Sequence, residues 1–161
     1  MRLINAIKDN LSSDTQHTVI TSGSFGEGLA MRGSDIDVMF VCKTVPVYNV
    51  KPSLHSNITY FLMDTDDVKL GFTRLRFEFE RDHFPNFCKQ KNGKYYLSNA
   101  LYKQAILNDI LPIIHGPCVS NKEGTVDLAI CLHCNTWVSV ATQWIIRPSN
   151  QWPSYDAYSV L

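Results

Sequence analysis

The sequence predicts an α+β or mixed α/β domain, a central mixed sheet covered by helices. Three observations carry this. Segments of helical period alternate with β-branched runs in the order helix, strands, helix, strands, helix. The 161 residues are 45% hydrophobic, enough for one compact core and too few for two ordinary domains. Turn residues punctuate the runs at intervals typical of a sheet. The whole chain, 1–161, is therefore read as one domain.

Leu3, Ile4, Ile7 and Leu11 recur at helical spacing, so about 2–12 is a short amphipathic helix. It lacks an N-cap signal, which is expected of the remnant of a longer helix. "HTVITS" (17–22) is β-branched and reads as a strand. "SGSFGEG" is a Gly-rich turn, and "DIDVMFVC" (35–42) a mostly buried strand. "ITYFLMD" (58–64) and "VKLGFTRLRFEF" (68–79) read as strands separated by Thr65, Asp66 and Asp67. "GKYYL" has a strand-like start, and a helix follows from about 98 to 111 with Ser98 as its N-cap. "CVSNKEGTVDLAICLHC" reads as a hairpin around Asn121–Gly124. "WVSVATQWII" (137–146) reads as a helix stopped by Pro148. The tail after it shows no period, and there is no internal repeat.

Fifteen basic residues balance fifteen acidic ones, so net charge selects no partner. The distribution is uneven, because 69–103 holds eight Lys/Arg against three Asp/Glu. Cys42, Cys88, Cys118, Cys131 and Cys134 make an odd count without a disulfide framework, as expected in a reducing, cytoplasmic setting. The N-terminus has no signal-peptide run, and no stretch reaches the length of a membrane span, so no membrane partner is expected.

The informative stretch is "SGSFGEGLAMRGSDIDVMFV" (22–41). Strand alternation puts Asp35 and Asp37 on one face, with Cβ atoms ~7 Å apart. Two carboxylates so placed repel, and burying them bare is costly. A shared divalent cation removes both problems, and hard oxygen ligands suit Mg²⁺ or Mn²⁺. Gly23 and Ser24 offer bare backbone and a hydroxyl that can approach a phosphate. Asp127 in "TVDLAI", one acid inside an apolar strand, is the candidate third ligand. Metals held this way activate a hydroxyl and stabilise a leaving pyrophosphate. An Asp-x-Asp alone is more often a solvated strand end. The joint pattern of Gly-Ser, Asp-x-Asp and a distant strand Asp is what points to chemistry.

Other candidates carry less. Cys131, His133 and Cys134 form C-x-H-C, but no second ligand pair stands at a familiar zinc spacing, so buried thiols are preferred. The basic residues of 69–103, Arg74 and Arg76 among them, interleave with Phe and Tyr. They could meet a phosphate backbone, although a solvated strand face with its aromatics in the core is the simpler account. Trp137 and Trp144, seven apart, are expected to pack one helix face onto the sheet. No nucleophile elbow or Walker A loop is present.

The joint carboxylate pattern resembles that of the polymerase-beta-like nucleotidyltransferases. "TSGSFGEGLAMRGSDIDVMFV", "GFTRLRF", "HGPCVSNKEGTVDLAICLHC" and "WVSVATQWIIRPSNQWPS" look like the Mab-twenty-one family, which includes cyclic GMP-AMP synthase and its cGAS-like receptors. The likeness covers about 17–155, and the spacing of Trp137, Trp144, Arg147 and Trp152 narrows it to the subgroup. It implies a polymerase-beta-like fold with helices flanking the sheet. It implies that Asp35, Asp37 and Asp127 bind Mg²⁺ and that Gly23 and Ser24 contact a triphosphate. Active members join ATP and GTP, or similar NTPs, into a cyclic di- or oligonucleotide in innate immune signalling, after binding double-stranded nucleic acid or another ligand. Two departures stand out. Only about 1–12 matches the long spine helix of that family. The chain stops where the C-terminal helical lobe should begin, with 148–161 as the start of the connection. A catalytically inactive binding or regulatory protein is the alternative the resemblance leaves open.

Overall fold

The computed structural model describes residues 2–26, 28, 33–53, 59–69, 71–78, 86–137 and 142. Among these, three helices and nine strands alternate: α1 (Arg2–Leu11), β1 (His17–Ser22), α2 (Gly23–Gly26), β2 (Ile36–Tyr48), β3 (Tyr60–Asp64), β4 (Arg74–Glu78), β5 (Cys88–Lys91), β6 (Lys94–Leu97), α3 (Asn99–Ile106), β7 (Ile113–His115), β8 (Cys118–Ser120) and β9 (Val126–Cys134). The expected helix over 137–146 and the tail 148–161 lie outside the described residues, apart from Trp137 and Thr142, as do Trp144, Arg147 and Trp152.

All nine strands belong to one sheet. Eight follow the order β5-β6-β4-β3-β2-β9-β8-β7, and β1 pairs beside the first half of β2. The β2–β3 and β2–β9 pairs are parallel and the rest antiparallel. β2 is thirteen residues long and serves two neighbours on one edge. Residues 37–42 pair with β1, and Val47 and Tyr48 with β3. A register shift between Cys42 and Val47 separates the halves; such irregularities bend and twist a strand.

This corrects the expected fold class. The sheet curls into a half-barrel, with 44% of the described residues in strands and 19% in helices, and is not the helix-flanked polymerase-beta-like α+β arrangement. The reason is partly local. The region read as one strand, one helix and one hairpin also holds the short strands β5 and β7, whose three or four residues give no periodic signal. The helix expected over 98–111 starts as predicted, Ser98 accepting a hydrogen bond from Leu101 N at 3.4 Å. It stops at Ile106 because Leu107 is extended and the Asn108 side chain takes the backbone N–H groups of Ile110 and Leu111.

The remainder of the reason lies in α1. It lies beside the sheet edge. Among the described residues β1 pairs only with β2, and its outward N–H groups are received by α1 and the turn after it. Thr21 N donates to Asp9 Oδ2 at 2.8 Å, Val19 N to Ser13 Oγ at 2.9 Å and His17 N to Asp14 Oδ1 at 2.6 Å. These side chains block an edge that would otherwise accept another strand. Asn5, 6% exposed, donates to Phe25 O and ties the helix to α2. The apolar stripe that predicted the helix faces outward: Leu3, Ile4, Ile7 and Leu11 are all exposed.

The core sits around Val47, Phe61 and Phe77, with Met63, Leu75, Leu97 and Leu132 packed against it. Phe61 and Phe77 are cross-strand partners with ring centroids 5.3 Å apart. No helix among the described residues is long and apolar enough to cross a membrane.

Candidate acidic metal site

The parallel pairing of β2 with β9 builds the site. Ile36 is the register partner of Val126, and Asp37 of Asp127. Registered residues share a face, so two acids ninety positions apart in the chain stand side by side. Asp35 immediately precedes β2, beside the point where Ile36 N donates to Thr125 O at 2.9 Å. One oxygen from each of Asp35, Asp37 and Asp127 falls within 4.8 Å of the other two. This is the sole such group of metal-ligating side chains among the described residues. The three acids anticipated from spacing are therefore brought together.

The electrostatics follow from the crowding. Burial pushes the Asp37 carboxyl above the usual aspartate range, and the charges of Asp35 and Asp127 push it further. Burial also raises the Cys118 thiol, helped by Asp127 and Asp37, so this neighbour stays protonated and adds no charge. Three carboxylate oxygens are hard ligands of the kind that Mg²⁺ or Mn²⁺ takes.

Gly23 fixes the approach of the preceding turn. Its φ is +64°, a region that favours glycine. A Cβ built there would fall onto the Asp37 carboxylate, with Cγ only 2.8 Å away. The backbone of the Gly23-Ser24 turn is thus pressed against the acid, and Ser22 Oγ donates to Asp37 O at 3.3 Å. Gly23 and Ser24, read from sequence as part of a Gly-rich turn, open the one-turn helix α2.

Asp127 is 8% exposed and has two protein partners. Ser120, its register partner on β8, donates a short hydrogen bond to Oδ1. His115 Nδ1 lies 3.0 Å from Oδ2, with its ring largely exposed. Neither residue was singled out from sequence. Ser120 was not legible, because the four-residue turn read at Asn121–Gly124 would set Cys118 opposite Asp127, whereas six residues separate Ser120 from Asp127 in the observed register. Nor was His115, because β7 is too short to read.

The other candidates separate. Cys131 and His133 share a strand face while Cys134 points to the opposite one, and His133 Nδ1 contacts Asn135 Oδ1 at 2.8 Å. Cys131 and Cys134 are both half-buried, and burial raises the Cys131 thiol. Arg76 pairs with Glu78 at 2.6 Å, and Arg74 donates to the carbonyls of Asp66 and Asp67. Phe77, Phe87 and Tyr95 from the same basic segment pack in or against the core.

Compared with family models, with curated proteins and with solved structures, the chain finds no match in any of the three.

Proposed function

We propose that this acidic face performs Mg²⁺- or Mn²⁺-dependent nucleotidyl transfer. The observation that carries the reading is the convergence of Asp35, Asp37 and Asp127 within 4.8 Å, beside a glycine turn pressed onto Asp37. Asp35, Asp37 and Asp127 would hold the cation, which supplies charge stabilisation to a transferring phosphoryl group and its leaving pyrophosphate. Ser120 and His115 orient the Asp127 carboxylate from both oxygens, the arrangement expected around a ligating acid. The Gly23-Ser24 turn offers backbone close to the cation for a triphosphate. The sequence resemblance given above supports ATP, GTP or other NTPs as substrates and a cyclic di- or oligonucleotide in innate immune signalling as product, with double-stranded nucleic acid as one candidate activator.

A second reading is a non-catalytic binding or regulatory protein that keeps the acidic face. The contacts of Asp127 favour it, since both carboxylate oxygens already have protein partners.

Calorimetric titration with ATP and GTP decides between them, run with Mg²⁺ and with chelator, on the wild type and on Asp35→Asn/Asp37→Asn. Catalytic ancestry expects binding that needs both metal and carboxylates. Nucleotide affinity indifferent to both would sink it.

A further inference from the structure

The face of β9 opposite Asp127 carries a second feature. Ile130 and Leu132 alternate away from the acids and, with Val47 and Met63, floor a cavity of about 580 Å³. Tyr96 and Tyr102 form its walls. The Tyr96 hydroxyl is already committed to Asp64 Oδ2 at 2.9 Å, so the ring presents its apolar surface. Tyr102 stacks edge-on against Phe87, centroids 5.4 Å apart.

The rim is cationic. Arg74 lines it, but that guanidinium is held by the carbonyls of Asp66 and Asp67 within an acidic turn. Lys89 and Lys91 also line it, two apart on β5 and so on one face. Neither makes an ion pair among the described residues. Lys94 stands directly across from Lys91 as its register partner, around a tight turn in which Asn92 and Gly93 both have positive φ. Like charges facing each other across a strand pair are unfavourable, and an anion between them relieves that cost. We infer that this cavity binds an amphipathic carboxylate, its apolar body against Ile130, Leu132 and Met63 and its head at Lys89 and Lys91. Thr73, Ser98 and Asn99 add hydrogen-bonding groups to the lining, so ATP is included among the competitors in the test. The inference stands apart from the acidic site and does not rest on nucleotidyl transfer.

The test uses the full chain and a dansylated fatty-acid carboxylate, whose emission rises in an apolar site. The expected result is saturable binding displaced by decanoate and not by 1-decanol, inorganic phosphate or ATP. Lys89→Gln/Lys91→Gln, both at exposed positions, should weaken it about tenfold. Ile130→Trp, filling the floor, should abolish it. Should that variant not fold, the lysine pair still decides. Asp37→Asn and Ile4→Glu/Ile7→Glu, at the acidic site and on the exposed stripe of α1, should leave affinity unchanged. Absence of saturable binding, unchanged affinity in the lysine variant, or equal displacement by decanol would each overturn the proposal. So would loss of binding in the α1 variant.

Discussion

Asp37 and Asp127 are register partners on adjacent parallel strands. Their carboxylates are held side by side by backbone pairing, so neither can retreat by changing the local chain path. Because Asp37 is raised above the ordinary value of 3.8, it binds its proton more tightly folded than unfolded. Stability is then greatest below that ordinary value and falls as pH rises through the raised one. Asp37→Asn removes the titration. The variant should melt above the wild type at neutral pH and lose the advantage in acid, as thermal melts across that window will record.

Divalent cation acts in the same direction. Mg²⁺ should raise the melting temperature of the wild type at neutral pH and shift Asp35→Asn/Asp37→Asn little or not at all. Equal shifts in both proteins would place the cation elsewhere.

Gly23→Ala combines a positive φ with a Cβ driven into Asp37. We expect a loss of ~1–3 kcal/mol in chemical denaturation. The loss should shrink in an Asp37→Gly background, where the clash is gone and only the backbone term remains. A cycle showing no coupling would contradict the close approach.

The two partners of Asp127 should behave differently. Ser120 is 3% exposed, so Ser120→Ala leaves a buried carboxylate oxygen short of its donor and should cost ~1–3 kcal/mol. His115 is on the surface, and His115→Ala should change stability by less than ~0.5 kcal/mol. If His115 positions Asp127 for a cation, that variant should still weaken Mg²⁺ binding measurably.

Asp9→Ala removes two acceptor contacts, to Thr21 N and Thr21 Oγ1. It should destabilise the fold by ~1–3 kcal/mol and raise light scattering on storage, since part of the β1 edge is bared. An equally stable and equally soluble variant would count against the edge cap.

Much of the site was legible in the sequence because strand parity and turn chemistry are local. Asp35 and Asp37 share a face by counting, and the hairpin at Asn121–Gly124 announces the strand that carries Asp127. What counting could not supply was the neighbour of each strand. That β2 changes partners midway, from β1 to β3, coincides with a register shift around Pro46, a strand-breaking signal that does not say which strand comes next. The helix-covered sheet was the larger error. The stripe Leu3, Ile4, Ile7 and Leu11 marks α1 as an amphipathic helix, yet it faces outward, and Asp9 and Ser13, on the other side of the helix and past its end, make the contacts. A hydrophobic period shows that a helix is amphipathic and leaves open which side the fold will use.

Asp9 lies in the last turn of α1, and Ser13 follows two residues past its end, four positions along the chain. The N–H groups they receive, from Thr21 and Val19, are one strand repeat apart, about 6.6 Å. The end of α1 and the turn after it thus work as a short ruler laid against β1, with Asp9 in the helix and Ser13 and Asp14 past its end. A single-residue insertion between Asp9 and Ser13 would carry one acceptor away from its N–H group and break the match. A substitution at the outward Leu3 or Leu11 would leave it intact. The spacing of α1 is constrained far more tightly than its hydrophobicity.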